Sequence, residues 1–391
     1  MGLFRRMAAA LSILALGWTT GCAGFWVNPG SSNGNNSNSS SGDIVYVANA
    51  SPSADSGSLI GFTVASGSLT QVTGSTYSLT FIPQAMAITP NNSYLYVAGS
   101  NSEIYCFTLN SDGSIATVIG VADLTSPFVP VVAMDISPDG QWLVGLAADN
   151  QSLYEFQITS STGALLLINK ITYPVTSGAT AIARQVKFAP NGNYLFAALD
   201  TAGFVAYTFD TSSSSGALTN PQTPLSWSSI ASANALAVSP NSEYLYIAIS
   251  SGTTGSLAAY SIGSSGPNVT LTEVGLPAAA GTQPYSVAVN TAGTDVYVAN
   301  RGSNSISGFS IGSGGTLTQL NMSPYTSDTG VNVTALAVDN SGKYLLSVAN
   351  GGSPDLTQYS YDSSGNLVLP TSASTGSGTE PAGAIALATT H

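Results

Sequence analysis

One short pattern recurs along this chain and limits its fold more than any other feature. It reads "AMAITPNNSYLYVAG" (85–99), "AMDISPDGQWLVGLA" (133–147), "QVKFAPNGNYLFAAL" (185–199), "ALAVSPNSEYLYIAI" (235–249), "SVAVNTAGTDVYVAN" (286–300) and "ALAVDNSGKYLLSVAN" (335–350), about every 50 residues. After each comes an apolar-x-x-aromatic run: "IYCF" (104–107), "LYEF" (153–156), "FVAY" (204–207), "LAAY" (257–260), "ISGF" (306–309) and "LTQY" (356–359), with a seventh, "LIGF" (59–62), near the start. The second element thus has seven copies and the first only six. The chain ends supply the missing copy: "DIVYVAN" (43–49) is the second half of a first element, and "AGAIALATTH" (382–391) is its opening strand. Joined, they complete a seventh unit, so the repeats form a closed ring.

Each unit predicts four short strands: the "AVSP" strand, the "YLYVA" strand, the aromatic strand and an outer one such as "GTLTQL" (315–320). The first two alternate with period 2 across an Asn/Gly/Ser hairpin. Four-stranded antiparallel units repeated radially are propeller blades. The expected fold is all-β: a seven-bladed β-propeller over 43–391, closed by pairing of its N- and C-terminal segments.

Composition bounds the partners. Apolar residues make up 43% of the chain and charged residues only 7%, so a large core carries a surface of Ser, Thr, Asn and Gly. Beyond residue 22 there are five basic and nineteen acidic residues, a net charge of −14, which repels phosphate backbones and argues against nucleic-acid binding. Residues 1–22 read as an export signal: Arg5 and Arg6 precede an apolar run too short to span a bilayer. The segment ends in Thr19-Thr20-Gly21-Cys22, which resembles a bacterial lipobox with Thr where Leu is usual. Lipidation at Cys22 is therefore expected, with ordinary cleaved secretion as the alternative. Residues 23–42 carry the polar stretch "VNPGSSNGNNSNSSSG", a flexible tether whose r.m.s. reach is about 20–24 Å. A lipidated Cys22 leaves Cys106 without a partner, and Cys106 falls where other copies have Gly, Ala, Glu or Gln, so it reads as a buried, inert thiol.

The "YVAN" repeats (46–49, 297–300) and "GTQPYSVAVN" (281–290) resemble the YVTN repeats of lactonase-type seven-bladed propellers, among them bacterial 6-phosphogluconolactonases. The resemblance spans 43–391. In "ARQVKFAPNGNYLFAALD" (183–200) it implies a substrate-gripping arginine at Arg184 and an acid at Asp200, where the family has Glu. Gln185 and Ala189 stand where the family has histidines. Acid–base work would therefore fall to Asp200 alone. A structural ion pair, a ligand clamp and a catalytic pair all fit these two residues.

Blade geometry places the start of each first strand and the end of each second strand at one face of the ring. The starts are Gln84, Val132, Arg184, Asn234, Tyr285, Thr334 and Gly383; the ends bring Asn49, Asn101, Asp149, Asn300, Arg301 and Asn350. From this face the expected ligand-binding residues are Arg184, Gln185, Asp200, Gln84, Asn234, Tyr285 and Arg301. Along the inner strands Ala87, Ala237, Ala288, Ala337 and Ala386 let the blades converge, while Asp135 and Lys187 at the same position predict a buried compensating pair. "GFSIG" (308–312) matches G-x-S-x-G, but Ser310 sits on a strand and the one histidine is His391, so no triad is expected. No metal and no cofactor are expected. The amide-rich face suits a neutral saccharide, a lactone or an envelope protein, with the membrane reached through the lipid anchor alone. The leading expectation is an envelope binding protein; the alternatives are a lactone hydrolase acting on a non-phosphorylated lactone and a structural protein.

Overall fold

The computed structural model describes residues 43–391, apart from 52–53, 124–128, 176–179, 211–215, 223, 228–230, 327–331, 353 and 377–383. Cys22, the leader, the tether and Gly383 lie outside the described residues. The strands form seven antiparallel sheets; six run outward in sequence order, and the first takes its innermost strand from the tail. The sixth blade is typical: Pro284–Val289, Asp295–Asn300, Ser305–Ile311 and Leu317–Gln319. Three blades add a fifth short strand, Tyr77–Leu79, Ala278–Ala280 or Tyr325–Thr326, on the outer edge of the third.

The ring closes in the first blade. Ala384–Thr389 is its innermost strand and pairs with Ile44–Ser51, which pairs in turn with Ser56–Ala65 and Ser68–Gln71. The tail is held beyond that ladder. Thr390 N donates to Ile44 O (2.9 Å), Thr389 Oγ1 reaches Val338 O in the seventh blade (3.2 Å), and His391 N reaches Asn92 Oδ1 in the second (2.8 Å).

The period-2 pattern separates two inter-blade cores. In Tyr94–Gly99 every residue is buried. Leu95 and Val97 pack with Tyr46, Ala48 and Leu59 of the first blade, while Tyr96 and Ala98 pack with Val131, Met134 and Leu143 of the third. A middle strand is therefore apolar on both faces, each large side chain contributing about 1.5–3 kcal/mol by burial.

A repeated strut joins adjacent blades, and the sequence variation at Cys106 follows from it. In the second strands Tyr46, Tyr96 and Tyr297 donate their buried hydroxyls to Gly113 O (2.7 Å), Gly163 O (2.7 Å) and Gly365 O (2.5 Å) of the next blade. Their cross-strand partners in the third strand are Gly61, Cys106 and Gly308, small enough to leave room for the ring. Where the tyrosine is replaced by Val144 or Leu346, the partner becomes Glu155 or Gln358. Glu155 accepts from Ala217 N (2.5 Å) and Leu218 N (3.0 Å), and Gln358 Nε2 donates to Ala65 O (2.7 Å). The polar reach across the blade gap is thus kept by moving it one strand outward. Cys106 is buried, and that burial pushes its thiol up to about 11, as expected for an inert thiol.

Candidate functional site

The seven inner strands enclose a channel of about 950 Å³. They need little room because Ala87, Ala288 and Ala337 line it. The predicted strand starts Gln84, Val132, Arg184, Asn234, Tyr285 and Thr334 all line the channel, as does Gln185.

At this mouth the fourth blade holds Arg184 against Asp200. Arg184 Nε donates to Asp200 Oδ2 (2.7 Å), and Nη2 closes on the same oxygen. Asp200 Oδ1 accepts from Ser232 Oγ (2.8 Å) of the fifth blade. Asp200 has φ 57°, and its backbone exchanges hydrogen bonds with Ala233 (3.1 and 2.9 Å), stitching the two blades together. The Asp200 side chain is 7% exposed and that of Arg184 34%, so the guanidinium faces the channel and the carboxylate braces it from behind. Ser232 had no signal in the sequence because its blade carries no motif there.

The other predicted residues divide. Gln185, standing where the family has a histidine, accepts from Leu236 N with Oε1 (2.7 Å). Ser286 does the same for Leu336 N (3.0 Å), so Gln185 is one of a series of struts between inner strands. Asn234 Nδ2 donates to Ser250 Oγ (2.7 Å) and Pro284 O (2.9 Å). Asn49 and Asn300 are not displayed on the face: both are buried, Asn49 bonding Thr375 and Asn300 bonding Ser305 and Ser307. Asp149 caps its own turn at Ser152, and its hydrogen bonds from Ser152 and Gln151, with Lys170 nearby, hold its carboxyl low against the cost of burial.

Tyr285 and Arg301 repeat the Arg184–Asp200 arrangement two blades on. In both pairs a first-strand residue faces the residue sixteen positions later. Here the Arg301 guanidinium lies over the Tyr285 ring, 5.3 Å from its centroid. Arg301 also lines a neighbouring crevice of about 450 Å³.

The opposite end of the channel departs from expectation. Lys187 Nζ meets Asp135 Oδ1 at 3.1 Å, and Asp135 Oδ2 also accepts from Phe188 N (2.8 Å). The pair is not buried, since their side chains are 42% and 19% exposed along the channel. A salt bridge lining a wet channel carries far less energy than one sealed in a core. His391 lies at the same end, its Nε2 3.2 Å from Ile88 O; partial desolvation of the ring lowers its pKa. No sequence pattern marks this residue, because only ring closure brings the tail there. Ser310 Oγ donates to Thr318 O on the outer strand, and its ladder partner Asp295 has its carboxylate engaged by Asn290 and Thr294. Among the described residues no group of three or more His, Cys, Asp or Glu could hold a metal ion, and no helix is long and apolar enough to cross a membrane.

The model of the lactonase seven-bladed β-propeller family matches residues 200–319 and 270–385. The periplasmic gluconolactonase PpgL of Pseudomonas aeruginosa superposes with a TM-score of 0.70 at 16% identity, over 89% of this chain and 99% of that one. A Bacteroides fragilis protein named as a candidate 6-phosphogluconolactonase gives 0.72 at 16%, over 91% and 100%. Hydrazine synthase of Kuenenia stuttgartiensis gives 0.55 at 15%, over 84% and 95%, so the shared ring shows the fold and not the chemistry. No protein of curated function matches the sequence.

Proposed function

We propose that this chain, which resembles the lactonase seven-bladed β-propellers over residues 200–385, opens a lactone ring at the mouth of its channel. The observation that carries the reading is Arg184, a guanidinium that lines the channel and is braced from behind by Asp200. Such a fork, fixed before the ligand arrives, binds the lactone carbonyl and stabilises the oxyanion that forms on it. Water adds to the carbonyl carbon and passes its proton through Ser232 Oγ to Asp200. The C–O bond to the ring oxygen then breaks, that oxygen takes the proton, and a hydroxy acid leaves.

The test is hydrolysis of glucono-1,5-lactone followed by acid release. Arg184→Ala should lower kcat/KM by about 10²–10³-fold. Asp200→Asn should lower kcat by about 10²–10⁴-fold, while Ser232→Ala separates the relay from the brace. An Asp200→Asn variant with parental turnover would sink the mechanism. One observation favours a second reading, binding without turnover: both Asp200 carboxylate oxygens are already engaged. In that case Asp200→Asn shifts affinity and the parent hydrolyses nothing.

We also place the protein in the cell envelope, exported by residues 1–22 and anchored at Cys22, on the strength of the basic, apolar and lipobox segments. Palmitate labelling that persists in Cys22→Ala would refute the anchor.

A further inference from the structure

Seven equivalent positions lie at the ends of the second strands: Ala50, Ser100, Ala148, Asp200, Ser250, Arg301 and Asn350. Two are charged, and they carry opposite signs. Asp200 is answered by Arg184 at the facing first-strand position. Arg301 is answered at that position by Tyr285, a ring, and forms no ion pair among the described residues. In a chain with five basic residues past position 22, three of them ion-paired, this half-buried cation keeps its charge uncompensated. A neutral cross-strand pair such as Asn234–Ser250 would serve packing equally well.

The surroundings form a preformed crevice. Thr282, Gln283, Asn304 and Asn332 line it beside Arg301. Its walls are fixed by bonds from Arg301 N to Gln283 O (3.0 Å), Gly302 N to Thr282 O (3.0 Å) and Asn332 N to Asn304 Oδ1 (2.7 Å). Gln283, Asn304 and Asn332 all hold left-handed backbone, with φ of 50°, 51° and 47°. Gln is strained there, and strain of this kind collects at ligand sites. A Cβ at Gly302 would sit 2.7 Å from Thr282 Oγ1, so a side chain there would force Thr282 to shift. Tyr285 lines the channel as well as supporting Arg301, so crevice and channel mouth adjoin.

We propose that the Arg301 crevice is a carboxylate subsite, so that the preferred ligand is an acidic sugar whose ring lies at the channel mouth. This rests on the lactonase reading for the ring's position, and it sharpens the substrate class from a neutral sugar lactone to one bearing a carboxylate. The net charge of −14 does not oppose it at close range, since charges beyond about 8 Å are screened at physiological salt and the nearest cation decides. The planar guanidinium offers its donors to a carboxylate as a fork, with the Tyr285 ring centroid 5.3 Å from its central carbon.

D-glucuronate and D-glucose differ only at C6, carboxylate against hydroxymethyl, and neither can be hydrolysed. Calorimetric titration should show the parent binding glucuronate at least about tenfold more tightly. Arg301→Gln should bring the two within about twofold, and Arg301→Lys should fall between, keeping the charge but losing the planar fork. Melting curves confirm that the variants are folded. Equal affinities in the parent, a preference that survives Arg301→Gln, or displacement of glucuronate by equimolar inorganic sulfate would each overturn the assignment. Because these ligands contain no lactone, a protein that shows this preference yet hydrolyses nothing refutes the catalytic reading alone.

Discussion

Replacing Glu155 tests whether the blade-to-blade struts are functional parts of the ring's stability. Glu155 is fully buried and accepts three hydrogen bonds, from Ala217 N, Leu218 N and Asn169 Nδ2 (3.1 Å). The first two donors belong to the next blade, and both residues are buried. Glu155→Ala removes the acceptor and strands both donors, each at about 1–3 kcal/mol. The emptied volume adds roughly 1 kcal/mol, while release of a desolvated carboxylate returns part of the total. The expected net loss is about 3–5 kcal/mol. Unfolding entropy is about 2.1 cal/mol/K per residue, so a propeller of this size should lose roughly 5 °C in Tm. Glu155→Gln keeps Oε1 as acceptor and should lose about a third as much. The assay is thermal unfolding by circular dichroism with urea melts to check that the m-value is unchanged. If Glu155→Ala melts within about 1 °C of the parent, the strut contributes nothing and the account of position 155 fails.

The Asp135–Lys187 pair should couple by about 0.5–1 kcal/mol in a double-mutant cycle, because both side chains reach the channel solvent. Asp135→Ala should cost more than Lys187→Ala, since it also strands Phe188 N; a coupling of several kcal/mol would restore the buried reading. His391 predicts a narrow pH effect. The residue is exposed overall, but partial desolvation of the ring, aided by Lys187 and opposed by the Ile88 carbonyl and Asp135, depresses its folded pKa. Below its ordinary value near 6.5 the unfolded chain therefore takes the proton first, and stability declines slightly as pH falls. His391→Gln should flatten Tm between about pH 6.5 and 5, where ordinary carboxylates do not yet titrate; an unchanged slope would mean that the ring keeps its full hydration in the fold.

The fold was legible because it is written seven times. Repetition fixed the blade count, the split first blade and the innermost strand at the tail, and the structure shows each of them. Side-chain contacts within one blade were legible too. Arg184 meets Asp200 because the hairpin brings strand start and strand end together, whatever the neighbours do. What lay hidden depends on contacts between blades, where sequence distance says nothing. Ser232 completes the Asp200 site from the next blade, and His391 reaches the channel only through closure. The burial of Asp135 and Lys187 was misjudged for a related reason. An inner strand has one face packed and one edge open to the channel, and alternation in sequence cannot tell a solvated edge from a core.

In five of the seven blades the strut position either repeats the tyrosine or exchanges it in a compensating pair, while Phe196 and Tyr246 in the other two make no such link among the described residues. Val144 with Glu155 and Leu346 with Gln358 are such exchanges, and each keeps the link to the following blade. Arg184–Asp200 compensates internally as well, by charge, and projects a cation into the channel as a by-product of its brace. Tyr285–Arg301 compensates in neither way: among the described residues the guanidinium meets a ring and forms no ion pair. A solvated guanidinium would need no ring beneath it, and a structural one would have an acid opposite. The two pairs stand two blades apart at the same mouth, one holding its donors toward the channel and the other toward the adjoining crevice. A ligand that contacts both must present two separated acceptors, a carbonyl and an anionic group. That is why the acid-bearing sugar, and not the neutral one that the amide-rich surface suggests, fits this face.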